Sequence, residues 1–239
     1  MKHIQNELNN LYLDYLNKLI DDNKFLSYLN NDVINSPLAI NSNVVRGNYF
    51  NSDMKILFVG KENNGWFGLN EREKSGINNI SNKDEYLHGL LDLYNRFNLG
   101  ENYRTPIFSY MDILIDKLRD KKINTGILWS NLLRIDCGND LKDEIFGIDN
   151  NVILRKEIEL LKPDVVLFVT GPNYDKYLGD TFSNIRKIHF ENKSIKEFCI
   201  LEHEILPKKS FRIYHPNYYP RLGADYRFIL VETIVKLLV

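Results

Sequence analysis

Apolar and polar residues near the N-terminus alternate with the spacing of an amphipathic helix. Apolar side chains recur at steps of three and four residues, at Leu8, Leu11, Tyr12, Tyr15, Leu16 and Leu19. One apolar face of this kind predicts a helix over roughly residues 4–30. Residues 31–53 are rich in Asn and Ser and contain Pro37 and Gly47, which predicts an irregular connection.

Four short runs of apolar residues follow, and each predicts a strand that is buried on both faces. These runs cover residues 55–60, 125–136, 164–171 and 210–216. Two further runs, 185–190 and 195–200, are separated by the polar stretch "ENKS" and form a candidate hairpin.

Helical spacing returns between the predicted strands, at about residues 84–97, 106–121, 150–161, 172–180 and 227–239. Strands separated by helices predict a parallel sheet that is covered on both faces. We therefore predict an α/β fold, a three-layer α/β/α sandwich with a central, mostly parallel four-stranded sheet. The length of 239 residues suits one domain over residues 1–239, with residues 1–50 as a helical extension packed on it.

Polar residues capable of catalysis stand where the predicted strands end. Residues 60–63, Gly-Lys-Glu-Asn, follow the first strand; Asn131 lies in the second, and residues 215–217, His-Pro-Asn, follow the last. In parallel sheets the ligand site lies outside the carboxyl ends of the strands. The pattern therefore predicts that these groups meet at one edge of the sheet.

Composition and charge limit the possible partners. The net charge is −1 and 44% of the residues are hydrophobic, so the chain has the composition of an ordinary globular protein. Any basic surface that binds nucleic acid must therefore be local. The N-terminus lacks the pattern of a signal peptide, and no apolar run approaches the roughly 20 residues of a membrane span. We expect a cytoplasmic protein with no membrane partner.

The cysteine and histidine content argues against metal chemistry. Two cysteines, Cys137 and Cys199, exclude a disulfide framework, a four-cysteine zinc site and a cysteine-ligated iron–sulfur cluster. The histidines show no metal-ligand spacing, and no phosphate-binding glycine motif or nucleophile elbow is present. We expect no metal and no cofactor, and two inert thiols.

Four motifs in order resemble those of the uracil-DNA glycosylase superfamily. They are "GKENN" (60–64), "LWSNLL" (128–133), "VVLFVTG" (165–171) and "HPNYYPR" (215–221), and the resemblance extends over about residues 54–230. In that family the first motif is Gly-Gln-Asp-Pro-Tyr or a variant, and the last is His-Pro-Ser. Here Glu62 stands at the position of the catalytic aspartate, Asn63 replaces the common proline and Asn217 replaces the serine.

The resemblance implies a DNA glycosylase that hydrolyses the N-glycosidic bond of uracil or another altered base after base flipping. Bond cleavage creates positive charge on the sugar and negative charge on the departing base. Glu62 would then hold water and stabilise the sugar cation, and a neutral His215 would donate a hydrogen bond to the base. No metal and no covalent enzyme intermediate are implied.

The remaining site residues follow from the same resemblance. Asn131, whose amide offers both a donor and an acceptor, would read the base edge, and a flip of this amide would let it read cytosine-like edges. Base contacts are expected from the first motif and from the aromatics after it, at Gly60, Lys61, Asn63, Trp66 and Phe67. DNA contacts are expected at Asn217, Tyr218, Tyr219 and Arg221, with one of the two tyrosines packed and one exposed.

Two other interpretations remain open at the sequence level. The altered first motif and the near-neutral charge also suit a family member that binds a base, a nucleotide or modified DNA without cleaving it. A hydrolase of free nucleosides or nucleotides could use the same Glu62 and His215. We expect a monomer whose partner is single- or double-stranded DNA.

Overall fold

The structure, a computed structural model, describes residues 2–43, 48–63, 80–98, 106–147, 150–191, 193–223 and 225–239. Its α-helices are α1 (Lys2–Asp21), α2 (Asn23–Asn30), α3 (Lys83–Asn98), α4 (Pro106–Asp120), α5 (Lys142–Phe146), α6 (Asn150–Leu161), α7 (Asp175–Thr181) and α8 (Tyr226–Leu238). Its strands are β1 (Met54–Gly60), β2 (Thr125–Asn131), β3 (Val165–Phe168), β4 (Arg186–His189), β5 (Phe198–Glu202) and β6 (Lys209–Ile213).

All six strands form one sheet in the order β2-β1-β3-β6-β5-β4. The pairings among β2, β1, β3 and β6 are parallel, and β5 pairs antiparallel with both β6 and β4. The four parallel strands correspond to the four apolar runs. The prediction of a four-stranded sheet is wrong because the hairpin of β4 and β5 continues the sheet and satisfies the backbone groups at the free edge of β6.

The central strands are buried along almost their whole length. Every residue of β2 is buried, and β1 is buried except at Lys55. Parallel strands that are covered on both faces need apolar residues at consecutive positions. That requirement explains why the strands read as continuous apolar runs.

The N-terminal helix predicted over residues 4–30 is divided in two. The Asp22 carboxylate accepts a hydrogen bond from the Lys24 backbone N–H at 2.8 Å, which caps the start of α2. Helix α1 packs against α2, α3 and α6. The irregular connection after α2 belongs partly to the core, because Leu38, Ala39 and Ile40 are buried in it.

A buried polar network joins α1, β2 and α6. The Tyr12 hydroxyl donates to Glu157 Oε1 at 2.5 Å, and the Ser130 hydroxyl donates to Glu157 Oε2 at 2.9 Å. The Arg134 guanidinium forms an ion pair with the same carboxylate, and both charged side chains are almost completely buried. We will call Tyr12, Ser130, Arg134 and Glu157 the core network.

A second group of helices packs around α4. Helix α4 contacts α8 and the 3-10 helix Pro216–Arg221 that follows β6.

Within the described ranges, no helix combines the length and the apolar character that a bilayer span requires.

Candidate functional site

A cleft of about 340 Å³ opens at the carboxyl ends of β1 and β2, beside the segment that follows β6. Its described lining residues are Gly60, Lys61, Glu62, Pro106, Ile107, Phe108, Met111, Trp129, Asn131, His215 and Asn217. Six residues predicted from three strand ends therefore lie around one cavity. They are Gly60, Lys61, Glu62, Asn131, His215 and Asn217.

Gly60 and Asn131 are neighbours because β1 and β2 run parallel in register. Gly60 pairs directly with Asn131 at the last position of the two strands. A Cβ atom on residue 60 would collide with the Asn131 side-chain oxygen, and the Ile107 side chain lies 3.7 Å from the same point. Glycine at this position therefore makes room for the Asn131 amide to lie across the end of β1.

Asn63 holds the Asn131 amide in one orientation. The Asn63 amide nitrogen donates to the backbone carbonyls of Ser36 and Arg134, at 2.9 and 3.1 Å. Its side-chain oxygen must therefore be the acceptor for the Asn131 amide nitrogen, which lies 2.7 Å away. A flip of Asn131 would bring two amide oxygens together, so the alternative orientation considered from the sequence is disfavoured.

Asn63 itself does not line the cleft. Its side chain is fully buried behind Asn131, where it joins the loops that follow α2 and β2. The sequence predicted a substrate contact at this residue. The structure instead places it one layer behind the lining, as a support for the residue that does face the cleft.

Glu62 forms an ion pair that the sequence analysis did not predict. Its two carboxylate oxygens lie 3.1 and 3.0 Å from Nζ of Lys142, the first residue of α5. The Lys142 ammonium also donates to the Tyr174 hydroxyl at 3.1 Å. Burial raises the pKa of Tyr174, and the Glu62 carboxylate raises it further, so the hydroxyl stays protonated. We will call Lys61, Glu62, Lys142 and Tyr174 the cleft cluster.

Lys61 is the second amine of this cluster. Its Nζ lies 5.3 Å from the centre of the Tyr174 ring, and the Lys142 Nζ lies 5.4 Å from the same centre. Burial lowers the pKa of Lys61, and the Lys142 ammonium lowers it further, whereas Glu62 opposes the shift. At a given pH, a larger fraction of Lys61 is therefore in the neutral amine form than of an exposed lysine.

His215 is neutral at physiological pH and has a defined tautomer. Burial lowers its pKa to about 4, with a further contribution from the Lys61 ammonium. Its Nδ1 accepts a hydrogen bond from the Asn217 backbone N–H at 3.2 Å. The proton of the neutral ring therefore resides on Nε2, and that atom is a hydrogen-bond donor.

The start of α4 supplies an apolar wall that the sequence analysis missed. Pro106, Ile107, Phe108 and Met111 line the cleft, and the Phe108 ring meets the Trp129 ring edge-on at 5.8 Å between centroids. No local motif marks these residues, since their spacing is that of any buried helix face. Trp66 and Phe67, predicted as the stacking aromatics, lie outside the described residues.

Lys142 and Tyr174 were also missed, and only Tyr174 had a usable signal. Tyr174 follows "VTGPN" directly after β3, at the same edge of the sheet as the other predicted residues. The rule that selects strand ends would have included it. Lys142 begins a short helix eleven residues after β2, and nothing in its local sequence distinguishes it from a surface lysine.

The two tyrosines that follow His215 have different environments. Tyr219 is buried and contacts Tyr110 and Tyr226, with ring centroids 5.6 and 5.3 Å apart, so it presents no surface to DNA. Tyr218 is 38% exposed, and the Arg221 guanidinium lies 5.3 Å from its ring centre. One packed and one exposed tyrosine is the arrangement that the sequence predicted.

Cys137 lies close enough to the cleft cluster to be influenced by its charges. Burial raises the pKa of its thiol to about 11, so the thiol is protonated and unreactive at neutral pH. Cys199 is buried in β5, and burial raises the pKa of that thiol as well. Neither cysteine is a candidate nucleophile.

The chain was compared with protein-family models and with curated proteins. Neither the protein-family models nor the curated proteins gave a significant match. The evidence on function therefore lies in the cleft itself.

Proposed function

We propose that this protein releases an altered base from DNA by hydrolysing its N-glycosidic bond after the base has left the helix. The observation that carries the proposal is the convergence of Glu62, Asn131 and His215 on one cleft. The cleft volume of about 340 Å³ lies within the roughly 300–1,000 Å³ of typical ligand pockets. A flipped nucleotide is a ligand of suitable size and polarity.

The fold is proposed to be the three-layer sandwich of the uracil-DNA glycosylase superfamily. In support, neighbouring positions of the sheet contact different helices. Phe58 of β1 packs against Tyr110 of α4, whereas Ser130 of β2 donates to Glu157 of α6. Because successive residues of a strand point to opposite faces, this pattern favours helices on both sides of the sheet.

Glu62 and His215 stabilise opposite charges in this mechanism. The Glu62 carboxylate orients a water molecule and stabilises positive charge on the sugar, while Nε2–H of neutral His215 donates to the base oxygen as negative charge develops there. A histidine with a pKa of about 4 can donate this hydrogen bond throughout the physiological range. Each contribution of this kind is typically worth about 3 kcal/mol.

Asn131 is the residue that would select the base. Its amide orientation is set by Asn63, and its side-chain oxygen accepts no hydrogen bond from any described residue. That oxygen can accept an N–H, and the second amide hydrogen can reach an adjacent carbonyl. An N–H next to a carbonyl, as on the edge of uracil or hypoxanthine, satisfies both groups when the carbonyl faces the amide nitrogen. In the same position the cytosine amino group would face that nitrogen, donor against donor.

The DNA strand is proposed to lie on the surface beside His215. Tyr218 and Leu222, which follow His215 in the chain, are exposed, and so is Phe228 near the start of α8. The guanidinium groups of Arg221 and Arg227 lie over the rings of Tyr218 and Phe228 respectively. Exposed aromatic side chains can stack on bases, and arginines can bind phosphates. This local surface compensates for a chain whose net charge is only −1.

A base-release assay tests the proposal directly. Labelled oligonucleotides with a single uracil, hypoxanthine, mismatched thymine or hydroxymethylated base are incubated with the protein, and abasic sites are then cleaved with alkali. We expect release of uracil or hypoxanthine that is lost in Glu62→Gln and His215→Ala. The matched controls are Glu159→Gln and His189→Ala, which change exposed residues outside the cleft.

A second function, binding without cleavage, is favoured by one observation. Both Glu62 oxygens contact the Lys142 ammonium, and a carboxylate that is neutralised in this way stabilises a sugar cation less well. DNA binding without base release by the wild-type protein would establish this function. Release from free nucleosides but not from DNA would instead identify a nucleoside hydrolase.

A further inference from the structure

The cleft cluster contains two lysine amines in different situations, and of these two only Lys61 is a lining residue of the cleft. The Lys142 ammonium is occupied by Glu62 and by the Tyr174 hydroxyl. Lys61 lines the same cleft, and among the described residues no carboxylate lies within ion-pair distance of its Nζ. Within the described residues, Lys142 therefore neutralises Glu62, and Lys61 has no ion-pair partner that a ligand would have to displace.

The position of Lys61 is well defined by its backbone. Its carbonyl accepts a hydrogen bond from the Leu133 N–H at 2.8 Å, and the preceding carbonyl, of Gly60, accepts one from the Leu132 N–H at 2.9 Å. These bonds fasten the turn after β1 to the segment after β2. The amine is thus presented from a rigid turn, beside Glu62 and at the same strand end.

The surroundings of Lys61 favour a nucleophilic amine. The side chain is half-buried against the Tyr174 ring, and a second ammonium belongs to the same cluster. Desolvation activates lysines toward carbonyl carbon, and so does a neighbouring cation. Here burial is the dominant cause, because the Glu62 carboxylate opposes the smaller effect of the Lys142 ammonium. The lowered pKa of Lys61 agrees with this environment.

We propose that the Lys61 amine forms an imine with the C1′ aldehyde of an abasic deoxyribose held in the cleft. The choice of substrate rests on the proposed function, because base release leaves an abasic sugar at this place. The inference goes beyond that function, and it departs from the sequence-based expectation that no covalent intermediate forms.

The reaction needs no reagent beyond the aldehyde and the amine. The nitrogen lone pair of Lys61 attacks the C1′ carbon, and the carbonyl π electrons move to oxygen, which is protonated. The carbinolamine then loses its hydroxyl group and a proton as water, and a C=N bond replaces the C=O bond. Addition of water reverses these steps and restores the free amine.

Borohydride trapping tests the inference independently of base release. The full-length protein is mixed with an oligonucleotide that already carries an abasic deoxyribose, and borohydride reduces any imine to a stable amine. We expect a covalent protein–DNA adduct that peptide mapping assigns to Lys61. A tetrahydrofuran analogue, which has no aldehyde, should give no adduct.

Two charge-conserving variants separate Lys61 from other lysines. Lys61→Arg retains the positive charge but cannot form an imine, so we expect trapping to fall about tenfold or more. Lys156→Arg changes an exposed lysine on α6 and should trap as the wild type does. Equal trapping by Lys61→Arg, or an adduct on another residue of the wild type, would overturn the inference.

The two proposals can fail separately in these experiments. Trapping at Lys61 without release of any base would support the imine and reject the glycosylase. Release of uracil together with no trapping of the supplied abasic site would support the glycosylase and reject the imine. Because adduct mapping uses the wild-type protein, neither result depends on the folding of a variant.

Discussion

Glu157 and Glu62 each form an ion pair beside a tyrosine hydroxyl, yet their settings differ. In the core network Glu157 is fully buried, and its oxygens accept from Tyr12 of α1 and from Ser130 and Arg134, which lie in and just after β2. In the cleft cluster Glu62 is 16% exposed, and both oxygens contact the one Lys142 ammonium. The first carboxylate is saturated by fixed donors, whereas the second faces a cavity.

This difference separates a structural charge from a candidate catalytic one. A buried ion pair is strongly destabilising to break, because the remaining charge has no solvent to compensate it. A partly exposed pair contributes little to stability and can exchange its partner for a ligand. Replacement of each carboxylate in turn tests this distinction.

Removal of the core carboxylate should have the largest effect on stability. We expect Glu157→Gln to lower the free energy of unfolding by about 3–5 kcal/mol, because Arg134 would keep its buried charge without a partner. Urea denaturation monitored by circular dichroism measures the change. A loss below about 1 kcal/mol would place the two carboxylates in the same class.

The corresponding change in the cleft should affect activity and leave stability nearly intact. For Glu62→Gln we expect base release to fall about 10²–10³-fold, as when one preorganised electrostatic group is removed. The free energy of unfolding should change by less than about 1 kcal/mol, because Lys142 remains partly solvated. Single-turnover release and urea denaturation give the two values. A large loss of stability with unchanged release would reverse the assignment.

The contact between β1 and Asn131 should also be sensitive. Gly60→Ala places a methyl group against the Asn131 amide, and we expect a loss of about 1–3 kcal/mol from overpacking. Gly179→Ala is the matched control, because no atom lies within 4 Å of its added Cβ and its position in α7 is helical. The control should raise stability by about 0.5–1 kcal/mol. Equal effects of the two changes would show that Asn131 is not held rigidly.

The pH dependence of stability should report on His215. Its pKa is about 4 in the folded state and about 6.5 when unfolded, so the unfolded chain binds the proton first as the pH falls. The contribution of His215 to the free energy of unfolding is therefore fully present above pH 6.5, and it is lost as the pH falls from 6.5 to 4. Since the ring is partly exposed, we expect about 1–2 kcal/mol over this range.

A variant isolates the contribution of this histidine. His215→Gln should show a shallower fall in the free energy of unfolding between pH 6.5 and 4 than the wild type, and His189→Gln should not. The chemical shift of the His215 ring protons gives the pKa itself. A midpoint near 6.5 would mean that the histidine can be cationic in the cleft, contrary to its proposed role as a neutral donor.

The positions of the parallel strands could be predicted because their cause is local. Residues of β1 and β2 are covered on both faces, so consecutive apolar residues mark them in the sequence. The place of the edge strand β4 in the sheet could not be predicted in the same way. The strand β4 is mostly exposed, and its place in the sheet depends on the pairing of β5 with β6.

The same distinction between local and non-local causes applies to the candidate site. Glu62, Asn131 and His215 could be selected because parallel strands bring their carboxyl ends to one edge. The burial of Asn63 could not be predicted, nor could the choice of Tyr219 as the packed tyrosine, since both depend on Ser36, Tyr110 and other partners far away in the chain. Local sequence shows that a polar group follows a strand, but not whether another segment covers it.

The sequence alone determined which chemical groups leave the ends of the central strands, because apolar periodicity locates those ends. Only the tertiary structure decided which of these groups face the cleft, which are paired and which are buried. Lys142 lies 80 positions from Glu62, and Asn131 lies 68 positions from Asn63. Contacts over such separations arise from the packing of whole elements, and no local pattern of residues encodes them.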